Sequence, residues 1–461
     1  MWGPQICLPA RCAGQEGVFD DSFDPPALRA GQRRGAVILV KERLATLKKV
    51  PWIRNVLLFL AIVGPGIITA NVDNDAGGIT TYSVAGARFG YKLLWIFVPL
   101  TIALIVVQEM SARMGAVTGK GLADLIRERF SLKLILLIMG ALLVADLGNT
   151  MAEFSGVASS MKIFGVSEYI SVPLGALFVW LICVRGSFKQ VERVFLVACL
   201  IFLTYIVSGI MAKPDWFLVT RETVTPTFQM NAPYVAMLIG VVGTTIAPWM
   251  QFYIQSAIVE KGITAKSYKF SRWDVIVGCL ITNIVAIFII VACAATINAH
   301  GLVINDAADA ARALAPLAGK WASTLFAIGL LNASLFAAAI LPLATAYYVC
   351  EAVGLEAGLN KKWNEAPVFY WLFTVLVVMG AGIILIPGVP LLQVMLWSQV
   401  INGSLLPFIL IYVLVLINDK KLMGEHVNSR SFNIIAWGTT AIMIGLTLLL
   451  VVQSIFPKLF G

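Results

Sequence analysis

The stretch ITANVDNDAGGITTYS, residues 68–83, places two aspartates, two asparagines and two glycines inside a run that otherwise reads as membrane-spanning. An aspartate at the centre of a span costs about 2.5 to 3.5 kcal/mol even on the lower insertion scales, and glycine weakens a helix. The apolar flanks NVLLFLAIVGPGIITA and ITTYSVAGARFGY set the break, NVDNDAGG, near mid-membrane. A second segment, APYVAMLIGVVGTTIAPWMQFYIQSAIVEKG at 232–262, is interrupted in the same way by Gly243, Thr244, Thr245 and Pro248. Unwound backbone at that depth survives only where it is buried in protein or lines a cavity. The ordinary alternative is a pair of kinks between packed helices; two acids at the first break favour a binding site.

The rest of the chain agrees with a membrane setting. Of 461 residues, 59% are hydrophobic and 13% charged, and the mean hydropathy is +0.88. Eleven apolar segments have cores near 55–86, 91–112, 134–160, 168–184, 194–212, 231–259, 274–298, 321–352, 367–386, 390–418 and 432–456. Breaks in the first and sixth predict an all-α integral membrane protein of two five-helix halves related by inverted topology, about 55–212 and 231–418, plus one extra helix at 432–456.

The net charge of +9 does not point to nucleic acid, because 26 of the 34 Lys and Arg fall on one set of alternating loops together with the N-terminal tail. That is the positive-inside pattern, and it predicts a multi-pass protein of the cell membrane with a cytoplasmic N-terminus and an external C-terminus. Residues 1–50, with FDDSFDPP, RAGQRRG and KERLATLKK, read as a largely disordered tail ending in a basic juxtamembrane segment; the transporter domain takes 51–461. Cys7 and Cys12 lie in the tail and the other five cysteines in apolar segments, with neither disulfide nor zinc spacing. Phosphate-loop and nucleophile-elbow motifs are missing, which argues against ATP-driven pumping and hydrolase chemistry. Both histidines, His300 and His426, read as loop residues.

With these residues in view, GPGIITANVDNDAGGITTYSVAGARFGYKLLW resembles the first helix of the Nramp divalent-metal transporters. QEMSARMGAVTGKGLADLIRERF is similar to their loop between helices two and three, MAEFSGVA to their third helix, and WSQVINGSLLPFILIYVLVLINDKKLMGEHVN to their tenth helix and following loop. The resemblance runs from about residue 50 to 456 and implies a LeuT-like fold and import of divalent transition metals, usually coupled to protons. It places Asp75-Ala76-Gly77-Gly78 where the family has Asp-Pro-Gly-Asn, and Ala247-Pro248-Trp249 where it has Met-Pro-His. Thr244 takes the position of a carbonyl near the metal, and Thr150 and Glu153 those of an Asp and a Glu on the third helix.

Asp75, Gly78, Thr244 and Ala247 are therefore expected to line the metal, with Asp73, Asn74, Thr245, Gln399 and Asn402 as supplementary candidates. Thr80 and Thr81 are ambiguous in the same way. Gln399 is considered for its amide oxygen, which could accept from a metal-bound water. Asp146, Thr150 and Glu153 share one helix face by their i, i+4, i+7 spacing and are expected to form a polar wall along the permeation path or an altered proton path. Interhelical hydrogen bonding is the plainer account of them. Trp249 is expected to fill the histidine's place as a seal.

The departures have one chemical direction. Losing a thioether removes the advantage of soft transition metals over magnesium, and replacing Asn by Gly and Met by Ala is expected to enlarge the site. Mg2+ sheds water reluctantly and is held by one or two carboxylates, so the resemblance narrows to the Nramp-related magnesium transporters. The expected function is import of Mg2+, and of Mn2+, by alternating access and without proton coupling. The metal is then substrate, no cofactor is needed, the partners are the ion and the bilayer, and a monomer suffices. The alternatives are a proton-coupled Mn2+ or Fe2+ importer, a membrane-embedded enzyme using Asp75 and Glu153 as acid and base, and a channel or metal sensor.

Overall fold

The computed structural model describes residues 64–304, 309–311 and 319–455. The basic tail, Cys7, Cys12 and the start of the first apolar segment lie outside the described residues. Among the described residues all regular structure is helical. The first span is broken: α1 (Pro65–Asn71), a 3-10 turn at Val72–Asn74, an extended Asp75, then α2 (Ala76–Phe89). It is followed by α3 (Phe97–Thr118), the short α4 (Leu122–Arg129), α5 (Leu132–Ile163), α6 (Glu168–Arg185), α7 (Phe188–Ile201) running on into α8 (Leu203–Met211), and the connecting α9 (Trp216–Val224). The sixth span is broken between α10 (Ala232–Thr245) and α11 (Pro248–Glu260). The remaining elements are α12 (Tyr268–Thr296), α13 (Lys320–Val353), α14 (Pro367–Ile384), α15 (Leu391–Ile417), the short α16 (Lys420–Met423) and α17 (Arg430–Ile455).

Ten of these helical segments are long and apolar enough to cross a membrane, and the broken α1–α2 pair makes the eleventh. The two interrupted spans are central. The α10–α11 span is 94% buried over its apolar window, against 17% for α17 at the periphery. α12 packs along both α1 and α2, α13 along α5, α10 against α15, and α11 against α3. The outward faces of the surrounding helices carry exposed Leu137, Val144, Phe178, Leu200, Trp397 and Leu448, as a lipid-facing surface requires.

The first break is narrower than the sequence suggests. Helix resumes at Ala76, so Gly77 and Gly78 sit inside the first turn of α2 and do not unwind it. The irregular part is the turn Val72–Asn74 and the extended residue Asp75, whose φ is −68° and ψ 179°. At the second break Ile246 and Ala247 leave helical geometry, and Pro248 restarts it at the first helical position, where its missing N–H costs nothing.

One buried acid anchors the start of α1. The Asp274 carboxylate on α12 accepts from the amides of Gly64 (3.2 Å), Gly66 (2.7 Å) and Ile67 (3.2 Å). The first amides of a helix have no partner within it, and a carboxylate there also meets the positive end of the helix dipole. Gly66 allows the approach, since a Cβ there would lie 2.8 Å from the Asp274 carbonyl carbon. Beside it, Lys261 at the end of α11 pairs with Glu192 of α7 at 2.6 Å. The five cysteines in the spans are all buried and free. Arg113 of α3 reaches the carbonyls of His426 (2.9 Å) and Val427 (3.1 Å) and the Oδ1 of Asn428, which is the loop pairing its place near a span end suggests.

Candidate metal centre

Asp75 stands at the point where the two breaks meet. It is the N-cap of α2: its Oδ1 accepts from the Gly78 amide at 2.5 Å, and its carbonyl accepts from Ile79 N at 2.8 Å. An aspartate N-cap is strongly favoured, so the sequence folds this residue into a fixed orientation at a helix N-terminus. From the sixth span, Thr244 donates its hydroxyl to the Asp73 carbonyl at 3.3 Å, and Ala247, 2% exposed, lies at the second break. From α5, Glu153 Oε2 accepts from Ala76 N at 3.0 Å, one residue from Asp75. From α15, the Gln399 amide nitrogen lies directly over Gly77 in the first turn of α2.

The expected enlargement at Gly78 is absent in this closed arrangement. A Cβ there would lie 2.8 Å from Thr244 Oγ1 and 3.2 Å from Asp75 Oδ1, and would run into the Asp73 carbonyl. The place a side chain at residue 78 would take is filled by the turn and by Thr244 of α10. Asp73 and Asp75 are only 2% and 4% exposed, so the centre is shut off from bulk water.

The supplementary candidates divide. Asp73 is buried with neither carboxylate oxygen hydrogen-bonded, and Asn74 Oδ1 is likewise without a partner, while Asn74 Nδ2 is held by Thr282 Oγ1 at 2.7 Å. Thr245 faces Tyr82, hydroxyl to hydroxyl at 2.8 Å, and Thr80 donates to the Met395 sulfur at 3.3 Å; both bonds link helices. Thr81 lines a separate cavity of about 210 Å³ with Gly240 and Val400. Asn402 donates to Gln399 Oε1 at 3.2 Å. The Gln399 oxygen is thereby turned toward Asn402 in this structure. Trp249 is 1% exposed, its ring 6.4 Å from that of Tyr253, which fits a packed seal.

Asp146, Thr150 and Glu153 do not form one wall. Asp146 faces Thr345 and Tyr348 of α13. Thr150 bonds back to the Asp146 carbonyl at 2.7 Å and packs on Gly380 of α14. Of the three, Glu153 is the one that meets the break. Seven residues of helix span roughly 10 Å, far enough for one stripe to pass three neighbours.

Three residues escaped the sequence reading. Asp274 and Asn149 were each visible as a polar side chain within a predicted span, but nothing local tells what they bond. Met250, three residues after Ala247, turns its sulfur to the Ala247 amide at 3.3 Å and to Gln108 Nε2 at 3.5 Å. A thioether therefore stays near the break, but its lone pairs face N–H donors.

The carboxyls at the centre lack a cationic partner. No ion pair among the described residues includes Asp73, Asp75, Asp146 or Glu153. Unpaired buried charge is costly, so the arrangement has a demand for positive charge. Among the described residues no three His, Cys, Asp or Glu side chains stand together as a metal cage. A cation bound here would complete its shell with hydroxyl, carbonyl and water oxygens.

Comparison with known proteins bears on this geometry. The divalent metal cation transporter MntH of Deinococcus radiodurans is 28% identical over 443 residues, covering 93% of this chain and 95% of that protein. A crystal structure of the Eremococcus coleocola manganese transporter superposes with a TM-score of 0.68 at 25% identity, covering 86% of each chain. The nucleobase-cation-symport-1 transporter Mhp1, 13% identical with a TM-score of 0.53, shares the fold. Residues 66–453 match the natural resistance-associated macrophage protein-like family, Nramp, and the chain belongs to that family, whose members are secondary metal transporters and not enzymes.

Proposed function

We propose that this protein imports Mg2+, and Mn2+ with it, across the cell membrane by alternating access between the two broken helices. The observation that carries the reading is the set of buried acids at the breaks, Asp73, Asp75 and Glu153, which have no basic partner among the described residues. Asp75 is the ligand, Thr244 and the carbonyls at the two breaks supply neutral oxygens, and Gly78 and Ala247 permit the close approach. One or two carboxylates with retained waters is the usual setting of Mg2+. Donor chemistry supports this choice and available space does not: the nearby sulfurs of Met250 and Met395 already accept from N–H and O–H groups, so no soft ligand singles out a transition metal. The N-terminus is cytoplasmic and the C-terminus external by the charge distribution. Transport needs no coupled proton, because the membrane potential supplies about 2.3 kcal/mol per elementary charge per 100 mV and the two histidines, His300 at the end of a span and His426, are both exposed and away from the breaks.

A second reading has its own support. Glu153 bonds the Ala76 amide, next to Asp75, and two buried acids at one helix N-terminus are an arrangement that a proton-coupled importer would use; the relatives named above are a divalent metal transporter and a manganese transporter. Uptake into proteoliposomes by wild type and Asp75→Ala, compared across Mg2+, Mn2+ and Ca2+, tests the proposal. Saturable Mg2+ uptake that Asp75→Ala abolishes supports it; Mn2+ uptake indifferent to excess Mg2+ favours the second reading.

A further inference from the structure

A chain of buried polar side chains runs from Asp75 across three helices and ends on an acid that lies outside the candidate metal centre. At that end, Asp146 of α5, 1% exposed, accepts from Thr345 Oγ1 (2.9 Å) and Tyr348 OH (3.1 Å) of α13 on Oδ2, and from Asn149 Nδ2 on Oδ1 at 3.1 Å. Asn149 and Asn402 of α15 form a reciprocal pair: Asn149 Nδ2 donates to Asn402 Oδ1 at 3.2 Å, and Asn402 Nδ2 donates to Asn149 Oδ1 at 3.1 Å. Asn402 Nδ2 also donates to Gln399 Oε1 at 3.2 Å. Gln399 Nε2 is left facing the Ser398 hydroxyl at 3.4 Å and the first turn of α2, directly over Gly77.

The direction of this chain follows from counting hydrogens. An amide nitrogen has two, an amide oxygen only accepts, and so does an ionised carboxylate. Asn149 spends its two on Asp146 and Asn402, and Asn402 spends its two on Asn149 and Gln399. With its oxygen turned to Asn402, Gln399 presents its N–H side to the first turn of α2, beside Asp75. The orientation of a buried amide is decided by its hydrogen-bond network, and here the one fixed group in the series is the acceptor at Asp146. Turning any one amide over would place oxygen against oxygen at one joint and N–H against N–H at the next.

We infer that Asp146 is a positioning residue for cation binding: through Asn149 and Asn402 it holds Gln399 with its N–H over the first turn of α2, beside Asp75, and its oxygen turned toward Asn402. Given that Asp75 is the cation ligand, as proposed above, two consequences follow. The Asp75 carboxylate, fixed by Gly78 N, faces an amide N–H group rather than an oxygen on its Gln399 side. Gln399 stays out of the ion's shell and leaves that place to a water.

The test uses purified full-length protein in proteoliposomes, loaded with whichever of Mg2+ or Mn2+ the wild type transports, and reads KM and Vmax separately. Asp146→Leu removes the acceptor and raises KM about tenfold, the scale of one hydrogen bond to a charged group, with Vmax little changed. Asn149→Leu cuts the next link and gives the same result, so the relay can be read even if the first variant does not fold. Asp146→Asn restores an acceptor and with it most of the lost affinity. On a Gln399→Leu background neither leucine variant raises KM further, because the group they act through is gone. A KM unmoved by either leucine variant, a rise that persists in full on the Gln399→Leu background, or an Asp146→Asn as impaired as Asp146→Leu overturns the inference. Asp75→Ala is measured alongside: retained uptake there overturns the metal-centre reading itself, whereas lost uptake with an additive cycle overturns the relay alone.

Discussion

Asp75 performs two tasks that its neighbours allow to be separated. It caps α2 through the Gly78 amide, and it supplies charge at a position with no basic partner among the described residues. Asparagine is as good an N-cap but carries no charge, so Asp75→Asn should abolish uptake while leaving the thermal stability of the purified protein within a degree or two. Asp75→Ala should lose uptake and about 1 kcal/mol of stability as well. Equal thermal stability for the two variants would mean that the cap contributes nothing. Gly78→Ala places a methyl group 2.8 Å from Thr244 Oγ1 and should hold α10 off the turn, reducing Vmax severalfold. An unchanged rate would mean that the closed arrangement seen here is not on the transport cycle. At this scale the sequence was legible where a residue type is costly: two acids inside an apolar run required an explanation, and Asp75 could be picked from them. The purpose of the glycines was not legible. The same two letters serve an unwound segment or a close approach, and only Gln399, more than three hundred residues away, decides for the latter at Gly77.

Among elements, the broken helices depend on partners that join them from elsewhere in the chain. The start of α1 is held by Asp274 of α12 through three amides. Asp274→Ala leaves those amides in a buried place without an acceptor, which costs about 1 to 3 kcal/mol per unsatisfied group. The purified protein should unfold several degrees lower, by thermal denaturation in detergent, and Asp274→Asn should recover part of the loss because one acceptor oxygen remains. Indistinguishable unfolding of Asp274→Ala and wild type would remove the anchoring role. Helix periodicity revealed α1, α2, α10 and α11 as elements, with the second break closely placed and the first drawn four residues too long. It did not reveal their pairings. The stripe Asp146, Thr150, Glu153 is a true feature of α5, but the spacing within one helix says nothing about which neighbour each side chain meets, and here the three meet α13, α14 and the α2 N-terminus.

The molecule as a whole places its two interrupted spans at the centre and its continuous ones around them, with α17 at the edge. The all-helical, many-span architecture could be read from apolar length, and the pair of interrupted spans from the recurrence of a break, because those signals are repeated along the chain. The state of the centre could not. Whether the breaks face water or each other depends on how the two halves lean together, and in this structure Asp75 is 4% exposed. The most direct measurement is initial Mg2+ uptake into proteoliposomes under an inside-negative potential and no pH gradient, with Mn2+ added in competition and the internal pH recorded throughout. The proposal predicts saturable Mg2+ uptake that Mn2+ competes for, that Asp75→Ala abolishes, and that proceeds with no proton entry. Absent Mg2+ uptake, or Mn2+ uptake accompanied by stoichiometric acidification of the lumen and unaffected by excess Mg2+, would contradict it.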